Sequence, residues 1–278
     1  MKMLAMMRFT LFEALRRGTL MFYFVFGTLI IIAFAIWMKK SPDDPSAIIL
    51  FGNAMPGNIN GMSSVDFFLL MLLRQSTFWI IILGTFGAAG LMTSFLDKGI
   101  AELYLSKPLE RWELFASRAI GACAGVAANL MFCSVGLWLV FGIKIDVWHT
   151  GFLAASLLVA YAFICYFSIV SFVAIWTRNA VLAIVIGLFF SFISIGLEAR
   201  EKGLYRLWDN SIYHRTLDAF YYLTPQLDGM LTNSVRLIGK LPFSQDAAPF
   251  SPAPFLYSLG TAALFYGLSI YYFSSRDF

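Results

Sequence analysis

The chain has 278 residues, of which 60% are hydrophobic, 17% aromatic and only 13% charged. A soluble domain carries about 45–50% apolar and about 25% charged residues, so this composition excludes a soluble enzyme and a large domain outside the membrane. The net charge of +4 comes without a basic cluster interleaved with aromatics, and nucleic acid is therefore not an expected partner. Most of the chain is expected to lie in lipid.

Residues 1–18 predict an amphipathic helix that lies on the inner leaflet of the membrane. One face collects apolar residues at helical spacing, namely Leu4, Met7, Leu11, Ala14 and Leu15. The other face collects the charged residues Lys2, Glu13, Arg16 and Arg17. A frayed basic tail is the alternative. The apolar run that follows is longer than the apolar region of a secretion signal and lacks a cleavage pattern, so we expect this segment to stay attached.

Six apolar runs are long enough to cross a bilayer and contain no ionisable residue other than cysteine or tyrosine. They are Leu20–Met38, Phe78–Leu96, Ala119–Phe141, Phe152–Trp176, Ala180–Leu197 and Phe255–Phe273. Each is predicted to be helical, because a lipid-exposed backbone must satisfy its hydrogen bonds within the segment. The predicted fold is an all-α polytopic membrane protein with a single transmembrane domain over residues 1–278. Cys123, Cys133 and Cys165 all fall inside these runs and are interpreted as small core residues.

The flanking charges predict that both termini are cytoplasmic, in a multi-pass protein of the cytoplasmic membrane. One set of short flanks holds Lys2, Arg8, Arg16, Arg17, Lys98, Lys107, Arg111, Arg118, Arg178 and Arg276. The other set holds only Lys39, Lys40, Arg74 and Lys144. Since positive residues accumulate on the cytoplasmic side, the first set marks the inner face.

The predicted connections differ in character. Residues 39–66 are rich in Pro and Gly without an apolar period, which predicts a surface loop. The short turn at Thr177, Arg178 and Asn179 predicts an antiparallel helical hairpin. Residues 198–254 mix charges with aromatics, which predicts short amphipathic or re-entrant helices interrupted at Pro225. This segment either caps the outer mouth of a pathway or is an aromatic belt without a gating role.

Residues 97–118 predict a short cytoplasmic helix between the second and third spans. Gly99 allows the chain to turn, and Ile100, Leu103 and Tyr104 form one apolar face. Pro108 cannot continue such a helix. A solvated charged loop is the alternative.

The residues of this segment resemble the stretch after the second span in permease subunits of ABC-2-type exporters. The resemblance rests on Gly99, Leu103, Leu105, Ser106, Pro108, Arg111 and Arg118. The chain departs from the family pattern at Ile100, Glu110, Ser117 and Arg118, where Thr, a small residue and Gly-Lys are usual. The resemblance also covers the amphipathic first helix, the six spans, the turn at Arg178 and the Tyr222–Leu227 stretch before the last span.

The resemblance implies that residues 99–106 form a coupling helix that docks on a separate ABC ATPase. Two copies of the ATPase and two permeases, identical or homologous, would make the exporter, with ATP and Mg bound by the ATPase and no cofactor on this chain. The implied ATPase-coupling residues are Asp97, Lys98, Gly99, Ile100, Glu102, Leu103, Tyr104, Ser106, Pro108 and Arg111.

The sequence leaves two other classes open. A membrane scaffold subunit would use small-residue stripes such as Gly121 and Gly125, which permit close helix packing within the chain or in a dimer interface. An intramembrane enzyme would need paired carboxylates or metal ligands, but His149 and His214 lie in different predicted outer loops without ligand spacing. The chain has no Gly-x-x-x-x-Gly-Lys-Ser/Thr motif, so any ATP is expected to be hydrolysed by a partner.

Overall fold

The structure, a computed structural model, describes residues 2–16, 18–42, 47–59, 62–94, 110–200, 203–208, 210–238 and 250–275. Within these ranges the helices are α1 (Lys2–Arg16), α2 (Thr19–Trp37), α3 (Ser64–Thr93), α4 (Arg111–Ile145), α5 (Thr150–Thr177), α6 (Ala180–Glu198), α7 (Ser211–Leu223), α8 (Leu227–Val235) and α9 (Ala253–Ser275). A short 3-10 helix covers Leu204–Arg206. Six of the described helices, α2 to α6 and α9, are long and apolar enough to cross a membrane. The protein is thus an all-α multi-pass membrane protein, as the sequence predicts.

Helix α5 is the central element of the bundle. In its most apolar stretch 78% of the residues are buried, compared with 17% for α2, because α3, α4, α6, α8 and α9 all pack against α5. Arg178 adopts a left-handed conformation after α5, and the Asn179 side chain accepts hydrogen bonds from the first amides of α6. The predicted hairpin of the fourth and fifth spans is confirmed.

The bundle has two ends, which we name after what they carry. The terminal face carries α1, the end of α3, the start of α4 and the end of α9, where Arg111 Nη1 donates a hydrogen bond to the Ser274 carbonyl at 3.1 Å. The loop face is the opposite end and carries the strands, α7 and α8. Because each span carries the chain to the opposite end of the bundle, six spans return it to the starting end, and α1 and the end of α9 lie on one face.

Two helices begin earlier than the sequence predicts. Helix α3 begins at Ser64 instead of Phe78, and α4 begins at Arg111 instead of Ala119. Their 30 and 35 residues correspond to about 45 and 53 Å, which exceeds the roughly 30 Å of hydrocarbon. Hydropathy detects only the apolar part of such a helix, so Arg74 and Arg118 lie within helices and not in flanks.

Short strands replace the surface loop predicted between the first two spans. The strands β1 (Met38–Lys40), β2 (Ile48–Leu50) and β3 (Asn53–Ala54) form one antiparallel sheet, and β4 (Asn58–Ile59) pairs with β5 (Met62–Ser63). Phe51 and Gly52, both at positive φ, connect β2 to β3 in a two-residue turn. Met38 and Ile48 are fully buried, so this element is part of the packed structure.

Residues 198–254, for which the sequence predicts short amphipathic or re-entrant helices interrupted at Pro225, contain the two short helices α7 and α8. The chain turns at Thr224, Pro225 and Gln226, all buried, and the six buried residues of α8 show that it is enclosed by the bundle. Ser194 of α6 donates to the Pro225 carbonyl at 2.6 Å and accepts from the Leu227 amide at 3.2 Å. These bonds satisfy backbone groups that the break at Pro225 leaves without helical partners.

Outside the membrane-spanning helices, a second contact holds α7. Arg200 Nε donates to Asp218 at 2.9 Å and its guanidinium lies 3.6 Å over the Tyr221 ring. The hydrogen bond from the Tyr205 hydroxyl, followed by that from Arg200, lowers the pKa of Asp218 below its ordinary value.

The turn between α7 and α8 gives a first prediction. Replacing Ser194 by Ala removes one donor and one acceptor from buried backbone groups, and we expect the free energy of unfolding to fall by about 1–2 kcal/mol. The measurement is thermal unfolding of the purified chain in detergent micelles. Ser156→Ala is the matched control, because the hydrogen bond that buried Ser156 makes in the described part of the chain lies within its own helix, to the Phe152 carbonyl. Equal losses in the two variants would contradict the role of Ser194.

Candidate functional site

The segment that carries the family resemblance connects two helix ends on the terminal face. Asp97, Lys98, Gly99, Ile100, Glu102, Leu103, Tyr104, Ser106 and Pro108 lie outside the described residues, as does Leu105. Helix α3 ends at Thr93, and α4 begins at Arg111 with a capping box between Glu110 and Glu113. Residues 95–109 therefore join α3 to α4.

A buried polar cluster lies where these helix ends meet α1. Arg118 of α4 donates from Nη1 to Glu13 Oε2 of α1, and Ser94 at the end of α3 donates from Oγ to Glu13 Oε1 at 3.0 Å. The Arg118 side chain is 1% exposed and that of Glu13 17%. We call Glu13, Ser94 and Arg118 the terminal-face cluster. It links α1 to both helices that flank the 95–109 segment.

The cluster corrects the predicted orientation of α1. Glu13 was expected on the polar face with Arg16, but it points toward the bundle because a buried partner, Arg118, lies opposite. The buried face of α1 consists of Met6, Thr10 and Ala14, whereas Leu15 is exposed.

Gly121 and Gly125 bring α4 close to the first two helices. A Cβ added at Gly121 would lie 2.8 Å from the Thr10 Cβ, and one at Gly125 would lie 3.1 Å from a methyl of Leu20. The pair of glycines thus serves packing within the chain, next to the cluster. Larger side chains would push α1 away from α4 and separate Glu13 from Arg118.

The terminal-face cluster combines an ion pair with a hydrogen bond to the same carboxylate. In a low-dielectric environment, an ion pair attracts strongly but costs much desolvation, and loss of one partner is far more harmful than loss of both. The bidentate use of the Glu13 carboxylate, by Arg118 and by Ser94, fixes the relative position of three helices. The guanidinium also lies 5.8 Å from the centre of the Phe9 ring.

Sequence reasoning missed Glu13 and Ser94 as site residues. Glu13 is the only acidic residue among the first 42, which was an available signal for a specific partner. Arg118 was identified through the family pattern, in a flank and not in a buried position.

The remaining titratable residues form no evident catalytic or metal centre in the described part of the chain. No group of three or more His, Cys, Asp or Glu side chains there has the geometry to hold a metal ion. His149 Nε2 lies 3.7 Å from Asp66 Oδ1, and His214 Nε2 lies 3.1 Å from the Trp208 carbonyl oxygen.

The fold and the cluster are those of an all-α multi-pass membrane protein whose first helix is fixed to the ends of two spans. In comparisons with known proteins, no family model and no curated protein matches the chain.

The terminal-face cluster gives a second prediction. Glu13→Gln and Arg118→Met should each lower the free energy of unfolding by about 3 kcal/mol, because each removes one partner of a buried ion pair. The double variant should lose less than the sum, since it removes both charges together. Thermal or denaturant unfolding of the purified variants in micelles measures these values.

Arg16→Gln is the control for this cycle. Arg16 is exposed at the end of α1, and its replacement should change the free energy of unfolding by less than about 0.5 kcal/mol. If the losses in the free energy of unfolding of the two single variants add up in the double variant, Glu13 and Arg118 act independently, contrary to the prediction.

Proposed function

We propose that this chain is the membrane-spanning permease subunit of an ABC-2-type exporter, and that a separate ATPase drives it. The proposal rests on the family resemblance of residues 99–118. Two structural features support it, the six candidate membrane-spanning helices and the position of the described helix ends that flank residues 95–109, which lie at the same end of the bundle as α1 and the end of α9. In the proposed exporter the terminal face is cytoplasmic and two permeases pair with two ATPase copies.

The structural observation that best supports the proposal is the terminal-face cluster. A permease that a separate ATPase drives needs a firm connection that transmits the movement of the ATPase to the transmembrane helices. The ion pair of Glu13 and Arg118 and the hydrogen bond from Ser94 tie α1 to the end of α3 and to α4 near its start, the helices that flank residues 95–109. A force on residues 95–109 would then move α3 and α4 together.

In the proposed mechanism, ATP closes the two ATPase subunits and displaces the 99–106 helix. Asp97, Lys98 and Glu102 supply polar contacts to the ATPase. The α3–α4 pair follows, and the two permeases rock to reshape the path between them. The substrate crosses the membrane while ATP and Mg stay on the partner.

The third prediction tests the ATPase partnership. The chain, tagged and co-expressed with the ATPase encoded beside it, should purify as a complex of two copies of each subunit with vanadate-sensitive ATP hydrolysis. Recovery of the chain alone would contradict the proposal and favour a scaffold or a self-sufficient enzyme.

Variants of the coupling segment make this test specific. Glu102→Lys should reduce the co-purified ATPase by about tenfold, because reversing a charge at a docking surface costs more than about 1.4 kcal/mol. Lys144→Glu is the control, a charge reversal of equal size at an exposed position on the loop face. Thermal unfolding should be the same for both variants, and an equal loss of ATPase in both would argue against a specific contact at Glu102.

The fourth prediction concerns orientation. A green fluorescent protein fused after Phe278 should fluoresce in cells, because the terminal face is proposed to be cytoplasmic and the fluorophore matures there. An alkaline phosphatase fused at the same point should be inactive. The reverse pattern would place the 95–109 segment on the wrong side for a cytoplasmic ATPase.

A further inference from the structure

Helix α7 on the loop face turns its polar side toward the protein. His214, Asp218 and Tyr221 are spaced so that they share one side of the helix. Asp218 accepts hydrogen bonds from Arg200 Nε and from the Tyr205 hydroxyl. The His214 ring stacks on the Tyr205 ring with centroids 4.3 Å apart, and Tyr221 is buried under the Arg200 guanidinium. The polar side chains of α7 are thus used for contacts within the chain.

The opposite side of α7 is mainly apolar and points away from the protein. Ile212, Phe220 and Leu223 are 72%, 54% and 47% exposed, and their spacing places them on one helix face. Leu207 and Trp208, just before α7, are 76% and 66% exposed. We call these five residues the outward face of α7. A helix on the surface of a water-soluble protein shows the reverse pattern, with its apolar side turned inward.

Helix lengths place α7 at the level where the hydrocarbon core ends. Helix α6 has 19 residues, or about 28 Å, which matches a core of about 30 Å. Its end at Glu198 therefore lies near one surface of the core, and Arg200, two residues further on, holds α7 through Asp218. Helix α7 has 13 residues, or about 20 Å, and is too short to cross.

The outward face is continuous with the lipid-facing surface of the spans. Helix α7 packs on α6 and α9, and the Tyr222 ring of α7 contacts the Tyr257 ring of α9 at a centroid distance of 5.1 Å. Both tyrosines are about half exposed, as is Leu259 further along α9. Tyrosine favours the boundary between head groups and hydrocarbon. Lipid that covers the exposed side of α9 therefore also reaches α7.

Two arginines next to the outward face indicate which part of the lipid lies there. Arg206 precedes the outward face, Arg215 lies within its length, and both are exposed. Among the described residues of 203–223, the acidic side chain, Asp218, is bonded to Arg200. The exposed charges of this part of the surface are thus positive. A mainly apolar helix face flanked by basic residues is complementary to acyl chains and to the phosphates above them.

We propose that α7 binds the membrane leaflet at the loop face, with its outward face in the boundary between head groups and acyl chains. Arg206 and Arg215 bind lipid phosphates. The bilayer holds the outward side of α7 and Arg200 holds the inward side, so the helix is fixed from both sides. This inference goes beyond the exporter proposal and does not depend on an ATPase.

The test measures whether water reaches the outward face. Ile212→Cys and Phe220→Cys are made in the full chain and reconstituted in phosphatidylcholine–phosphatidylglycerol nanodiscs with one copy per disc. The readout is the rate of reaction with a membrane-impermeant maleimide, normalised to the rate of the same chain unfolded in urea. Lys144→Cys is the control, at an exposed position next to the last residue of α4.

We expect both thiols on α7 to react at least tenfold more slowly than the Lys144→Cys thiol, because a charged reagent does not enter the acyl region. The chain without substitutions gives the background, since Cys123, Cys133 and Cys165 all lie within membrane-spanning helices. Thermal unfolding of each variant checks that the bundle is intact.

A second set of variants tests the two arginines in the Ile212→Cys chain. Replacing Arg206 and Arg215 together by Gln should raise the reaction rate about fivefold or more, because each basic residue at a lipid surface strengthens binding. Replacing Lys39 and Lys40 together by Gln is the matched control. It removes two exposed positive charges from β1 at the same end of the bundle and should leave the rate unchanged.

Reaction of the two α7 thiols at the rate of the Lys144→Cys thiol would overturn the proposal. Protection that appears only with two copies per disc would also overturn it, because a second copy and not lipid would then cover the outward face. Equal effects of the arginine pair and the lysine pair would contradict phosphate binding by Arg206 and Arg215. All these measurements use the chain alone, so their failure is distinguishable from failure of the exporter proposal.

Discussion

The absence of hydrogen-bonding solvent in a bilayer is the constraint on which this structure depends. Every polar group inside the bundle must find its partner in the protein or in a ligand. Buried serines and threonines meet this requirement by bonding to carbonyls of the preceding turn, as Ser156 does, or by bridging helices, as Ser194 does at Pro225. Ser258 of α9 likewise accepts from the Gln226 amide at 3.0 Å. At the break between α7 and α8, such side chains replace the missing helical bonds.

The same constraint explains how much of the fold the sequence predicts. Crossing the bilayer needs a long apolar helix, so the six spans, the hairpin at Arg178 and the break at Pro225 follow from composition along the chain. The helix boundaries do not follow from the composition, because a helix can continue beyond the hydrocarbon core with polar residues. The strands between Met38 and Ser63 were also missed, since pairs of two or three residues leave no period in the sequence.

The site is less predictable because its residues come from distant parts of the chain. Glu13 and Arg118 are 105 positions apart, and their pairing depends on how α1 packs on α4. The hydrophobicity of the faces of a helix predicts that a carboxylate is exposed to water. A buried arginine opposite the helix can instead hold the carboxylate toward the protein interior.

The terminal-face cluster connects helices from distant parts of the chain. Glu13 of α1 bonds to Ser94 at the end of α3 and to Arg118 near the start of α4. The Tyr23 hydroxyl links α2, the least buried of the six candidate spans, to α3 at the Leu83 carbonyl. These contacts join the first four helices to one another, because each bond runs between two different helices.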